Sequence, residues 1–132
     1  MFTTTWEEAV SIIDSYKVPA LSPMRDFVAA VSRSPYAIAL FPSPGVHAVR
    51  IGRIAGFPAS EPHLSVHYDR GGRYFEFTYV ENPFSNDNWK TRVPSGRAFQ
   101  SFEHLMLRRL RWFTRSYTKA RSNKSLERTR EG

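Results

Sequence analysis

The side chains in this chain best suited to chemistry sit in one hairpin-like stretch. His63, His67 and Asp69 share a face of one extended segment, and Glu76 lies in the next. An imidazole beside a carboxylate can pass a proton near neutral pH, which makes His67 with Glu76 the candidate acid and base. A metal site fits poorly, because it needs three or four converging ligands and His63 and His67 stand about 13 Å apart along a strand. The plainer alternative is a set of solvated or hydrogen-bonded surface histidines. No metal and no other cofactor is expected.

Three further groups invite an anion. The run Asp69 to Arg73 holds Gly71 and Gly72 between two arginines, but a phosphate loop leads from a strand into a helix, and these glycines join two strands. Arg50, Arg53, Arg73 and Arg92 beside Tyr74 could form a basic aromatic face for single-stranded bases, set against the ordinary reading of a solvated sheet. His104, Arg108 and Arg111 recur at helical spacing, with Arg109 adding to the cluster; they could meet phosphates, or could complement the dipole at a helix C-terminus. Phe84 and Trp89 are large aromatics in an otherwise polar stretch and are candidate contacts for a partner or an apolar ligand; the alternative is that both anchor the loop to the core. No Gly-x-Ser-x-Gly, His-Glu-x-x-His or Walker-type stretch occurs.

The elements that must position these residues follow from periodicity. Thr5 to Glu8 reads as a capping box opening a helix with Trp6, Ala9, Val10, Ile13 and Tyr16 on one side, stopped at Val18 and Pro19. Ser22 before Pro23 reads as the cap of a second helix, with Met24, Phe27, Val28 and Val31 as its stripe. From Tyr36 the period becomes two, and four strands are expected. The first covers Tyr36 to Phe41 and the second about His47 to Ile54; the third and fourth form a hairpin around Gly71 and Gly72. With those glycines central and free to take positive φ, Tyr68 faces Phe75, Val66 faces Phe77 and Leu64 faces Tyr79, while His67 faces Glu76. A register slipped around Arg70 and Gly71 preserves the same alternation. Glu81 to Pro94 reads as a long irregular loop. Ser95 then caps a third helix with Phe99, Phe102, Met106, Leu110 and Phe113 on one stripe.

The whole is expected to be one α+β domain over 1–113, ordered α-α-β-β-β-β-α, with 114–132 a disordered basic tail. The 132 residues include no cysteine, which excludes disulfides, thiolate metal sites and thiol catalysis. No apolar run is long enough to span a bilayer and no leader is visible, so a cytoplasmic protein with no membrane partner is expected. The formal charge of +7 is unevenly placed: ten basic and ten acidic residues occupy 1–107, and nine basic against two acidic ones occupy 108–132. The body is therefore neutral, and the basic signature belongs to the last helical turns and the tail.

Ser122 to Arg130 (Ser-Asn-Lys-Ser-Leu-Glu-Arg-Thr-Arg) resembles the peptide made when a reading frame runs into the recombination site of an integron gene cassette. The resemblance implies a gene of the mobile cassette pool and a tail shaped by DNA recombination. Products of that kind are often small and serve binding, toxin, immunity or resistance roles; the resemblance carries over no catalytic residue.

The reading that best fits the residues is a non-catalytic binding protein that holds a partner protein or small apolar ligand through Phe84, Trp89 and the nearby sheet. The alternatives are a weak nucleic-acid binder using Arg108, Arg109, Arg111 and the tail, and a small enzyme using His67 and Glu76, which requires a covered or concave sheet face. A homodimer could form by pairing of the apolar first strand, Tyr36 to Phe41.

Overall fold

Thr5 opens the first helix as its spacing predicts: its hydroxyl accepts the Glu8 amide at 3.1 Å, and α1 runs Trp6–Ser15. The computed structural model describes residues 1–45 and 48–118, and the α+β class holds, with one strand more than expected. The second helix, α2 (Ser22–Ser32), is entered through a 3-10 turn at Pro19–Leu21. Ser22 therefore does not cap it; its hydroxyl donates to the Pro19 carbonyl at 2.8 Å instead.

Strand β1 is Phe41–Pro44, later than Tyr36 to Phe41, because Ala37–Ala39 forms a 3-10 turn. Long-range bonds hold that turn: the Trp6 indole donates to the carbonyls of Ala37 and Leu40, and the buried Tyr36 hydroxyl donates to Glu103 at 2.9 Å. The expected apolar dimer edge is thus absent, and β1 carries Pro42 and Pro44, which blunt an edge.

Next come β2 (Ala48–Gly52), β3 (His63–Asp69), β4 (Tyr74–Val80) and β5 (Trp89–Pro94), all antiparallel in the order β1-β2-β3-β4-β5. The hairpin register is the one with Tyr68 opposite Phe75, Val66 opposite Phe77 and His67 opposite Glu76. The turn is longer than two residues, however, and Arg73, not a glycine, takes the positive φ of 55°. Gly72 is there for space: a Cβ on it would lie 2.3 Å from the Tyr74 ring. The fifth strand falls in the segment expected to be irregular. Trp89, Thr91 and Val93 face Tyr79, Phe77 and Phe75 across the ladder, so its period of two matches the core side of β4.

The helices cover one face of this sheet. Val49, Ile51, Leu64, Val66, Phe75 and Phe77 point into a core shared with Trp6, Ile13, Phe27 and Phe102. The Phe27 ring sits at its centre, 5.6–5.9 Å from Phe75, Phe77 and Phe102. Offset and edge contacts of this kind add to the apolar burial. The third helix is shorter than expected: a 3-10 turn at Ser95–Arg97 leads into α3 (Ala98–His104), then a π-helical turn spans Leu105–Arg109. Arg111 then takes φ 54° and reverses the chain, so Phe113 reaches the core from beyond the helix.

Residues 115–118, expected to hang free, form one helical turn, and Tyr117 packs on Phe113 while its hydroxyl donates to the Pro35 carbonyl at 3.2 Å. Residues 119–132, which carry most of the expected tail and the cassette-like peptide 122–130, lie outside the described residues, as does His47. Among the described residues no helix is long and apolar enough to cross a membrane.

Candidate functional site

At one end of the sheet β2 stops, β3 begins, β4 stops and β5 begins, because Gly52, His63 and Val80 are successive register partners. The loops 53–62 and 81–88 therefore emerge together, and the chain that follows the π turn closes over the same end. Here five side chains form a ladder of alternating type. Arg53 stacks on Trp112 with its guanidinium carbon 5.0 Å from the ring centroid, and Trp112 meets Tyr79 edge-on at 6.5 Å. Tyr79 lies 5.6 Å from its register partner Trp89, whose ring carries Arg109 at 3.7 Å.

Local structure explains each placement. Tyr79 and Trp89 are the last core-side pair of β4 and β5. The π turn is closed by the Leu110 amide donating to Leu105 at 2.8 Å, and the Phe113 amide reaches back to the Met106 carbonyl at 3.2 Å, which folds Trp112 against Tyr79. The Tyr79 hydroxyl donates to the Glu81 carboxylate. Burial, and then that bond, push the phenol up to about 12. Among the described residues neither Arg53 nor Arg109 has a carboxylate within ion-pair distance; the ion pairs there belong to Arg25 and Lys90. One face of each guanidinium is taken by a ring, while its N–H edges remain available to an oxyanion.

The loop from Glu81 to Asn88 is stiff for its length. Asn88 accepts the Glu81 amide at 2.7 Å and donates to the Asn82 carbonyl at 3.0 Å. The Asn82 side chain accepts the Phe84 amide at 3.0 Å, and Ser85 accepts the Asp87 amide at 3.0 Å. At its tip Phe84 is 95% exposed. The two aromatic candidates thus have opposite fates: Phe84 is free, and Trp89 is half-buried between Tyr79 and Arg109.

No family model, curated protein or solved structure matches the chain. Its candidate residues are therefore weighed on geometry alone.

Of Arg108, Arg109 and Arg111, only Arg109, the one outside the His104, Arg108 and Arg111 spacing, joins the ladder. Arg108 is exposed, and Arg111 lies past the π turn with its Nε donating to the Arg108 carbonyl at 3.5 Å. The extra residue in that turn and the reversal at Arg111 break the single helical face that the spacing implied. His67 and Glu76 face each other in register on the side of the sheet away from the helices, both half-exposed. No hydrogen bond joins them among the described residues, and Glu76 lies 4.0 Å from Lys90 instead. Among the described residues both side chains stay partly open to water, short of the covered face that acid–base work requires.

His63 is buried beneath Phe57, whose ring centroid is 5.4 Å away, and its Nδ1 donates to the Glu61 carbonyl at 2.9 Å. It fastens the 53–62 loop. Asp69 accepts the Gly72 amide at 3.0 Å, which holds its carboxyl below the usual range, helped by the Tyr74 hydroxyl; this is turn chemistry. Arg92 stacks over Tyr74 at 4.7 Å, so that ring is already occupied. Arg53, Tyr79 and Trp112 were missed as a group, because their signal is tertiary: three separate segments converge on one end of the sheet.

Proposed function

We propose that this protein is a non-catalytic binding module that holds a partner protein at the loop end of its sheet, with Phe84 as the apolar anchor. The observation that carries this reading is a fully projecting aromatic on a loop braced by its own side chains. An unconstrained loop would fold such a ring inward to escape water, whereas this one keeps it outside, and a rigid anchor loses little entropy on binding. Ile54, also exposed, lies on the neighbouring loop and widens the apolar surface. Phe84 projects outward, 95% exposed, which favours a protein partner over a small apolar ligand that would need an enclosing pocket. The test is a random peptide library panned on the wild-type protein and counter-selected on Phe84→Ser. Peptides that hold the former and release the latter are expected; a library with no such peptides ends the proposal.

A second reading, nucleic-acid binding, is favoured by the unpaired guanidiniums of Arg53 and Arg109 and by the basic 108–132 segment. It predicts retention of a labelled oligouridine that falls steeply with salt. Against it, the ladder rings already contact one another and the two arginines, which leaves a base less ring surface to stack on. The tail's likeness to a translated recombination site fits a cassette-borne module, and the nucleotides around the stop codon test that origin.

A further inference from the structure

Strand β5 ends the sheet. Its inner edge pairs with β4, and among the described residues no backbone hydrogen bond uses its outer edge. Beside it runs a groove of about 400 Å³, bounded on the strand side by Thr91 and Val93 and on the helix side by Arg97, Gln100, His104 and Arg109. Among the described residues no aspartate or glutamate lines it. The opposite face of β5 carries Lys90 and Arg92 around Glu76 of β4, 4.0 Å from Lys90, so cations stand on both sides of the strand, with one carboxylate among them on the outer side.

We propose that this edge and groove receive an extended acidic segment of a partner protein, added antiparallel or parallel to β5 as a sixth strand. The proposal rests on the binding-module reading and gives its partner a chemistry. Free main-chain donors and acceptors on an edge strand supply a generic grip on an extended chain, and side chains that alternate on either face supply selectivity. Carboxylates on one face of the segment meet Arg97, His104 and Arg109; those on the other meet Lys90 and Arg92. Either phase of insertion therefore finds cations.

Two other occupants fit less well. A second copy paired through β5 would set Lys90 and Arg92 among their own counterparts, and like charges directly opposite are unfavourable. The chain's own segment 119–132 holds five basic residues against two acidic ones, the wrong sign for this groove. Nucleic acid matches the charge but makes no use of a strand edge. The six residues of β5 span about 20 Å, room for a segment of about six residues. Its Trp89 end adjoins the loop that bears Phe84.

The experiment uses the full chain and a short N-acetylated peptide alternating glutamate and valine. Expected are saturable binding, weakened by salt, and slowed amide exchange in residues 89–93. Replacing glutamate by lysine abolishes binding, and N-methylating every peptide amide weakens it about tenfold or more. Arg97→Glu, on an exposed turn, weakens binding by a similar factor with an unchanged circular dichroism spectrum; Arg109→Glu does the same where it folds.

The proposal is overturned by an acidic peptide that does not bind at millimolar concentration, by an N-methylated peptide that binds as well as the parent, or by Arg97→Glu leaving affinity unchanged. Tighter binding of oligouridine at Arg97 assigns the groove to nucleic acid, and dimerisation that protects residues 89–93 assigns it to a second copy. Either result also overturns it. Library peptides that depend on Phe84 and ignore Arg97 leave the binding module standing while this inference falls.

Discussion

The guanidinium carbon of Arg109 lies 3.7 Å from the centre of the Trp89 ring. That contact fastens the end of the π turn to the first residue of the edge strand. Arg109→Ala should cost about 0.5–1 kcal/mol in urea unfolding, the range of an exposed cation over an indole. It should also open Trp89 to acrylamide quenching. Unchanged quenching and unchanged stability would mean that the two groups do not stack in solution.

Phe84 and Phe102 are chemically identical and should behave as opposites. Phe84→Ser, at an exposed loop tip, should alter stability by no more than about 0.5 kcal/mol. Phe102→Ala, which empties a ring site beside Phe27 and Tyr36, should cost about 3–5 kcal/mol. Comparable losses from the two changes, measured by chemical denaturation, would remove the ground for treating Phe84 as a free anchor.

Gly52 is pressed by the Phe57 ring, and a Cβ there would approach it to 2.3 Å. Gly52→Ala should expel the ring, expose His63, and destabilise the protein by about 1–3 kcal/mol. The readout is a shift of the His63 ring resonances together with a lowered melting temperature. A variant as stable as the wild type, with His63 unmoved, contradicts the packing of the 53–62 loop.

Alkaline pH should act through tyrosines. The Tyr79 phenol is raised from 10.0 to about 12 in the folded chain, so folding favours its neutral form. Its contribution is complete below pH 10 and disappears as pH rises through about 12. Tyr36, raised by burial and then by Glu103, acts in the same direction. The stability gap between wild type and Tyr79→Phe should accordingly narrow across that window. A gap that stays constant with pH, measured by urea midpoints, refutes the burial of the Tyr79 phenol together with its bond to Glu81.

Much of the fold was legible wherever short-range pattern and long-range packing agree. The Thr5 cap, the two helical stripes and the β3–β4 register all follow from local spacing. The misreadings fall where a distant residue decides. Tyr36 to Leu40 alternates like a strand, yet the Trp6 indole takes the carbonyls of Ala37 and Leu40 and bends it. Strand β5 alternates correctly, but it adjoins a run of Asn, Asp and Pro, and the loop signal masked it. At the site, residue type singled out Phe84 and Trp89 alike. Only the position of Arg109, set by a turn the sequence does not announce, separates the exposed ring from the covered one.

That turn gives the molecule a point of unusual sensitivity to length. A π turn holds one more residue than the α-helical turn it replaces, so removing any one of residues 105–109 would restore regular winding. Arg109 would swing away from Trp89, and Trp112 would lose its place beside Tyr79. A single lost codon in this stretch would thus dismantle the cationic border of the neighbouring channel and shift Phe113 in the interior, whereas most single substitutions there would change only one side chain.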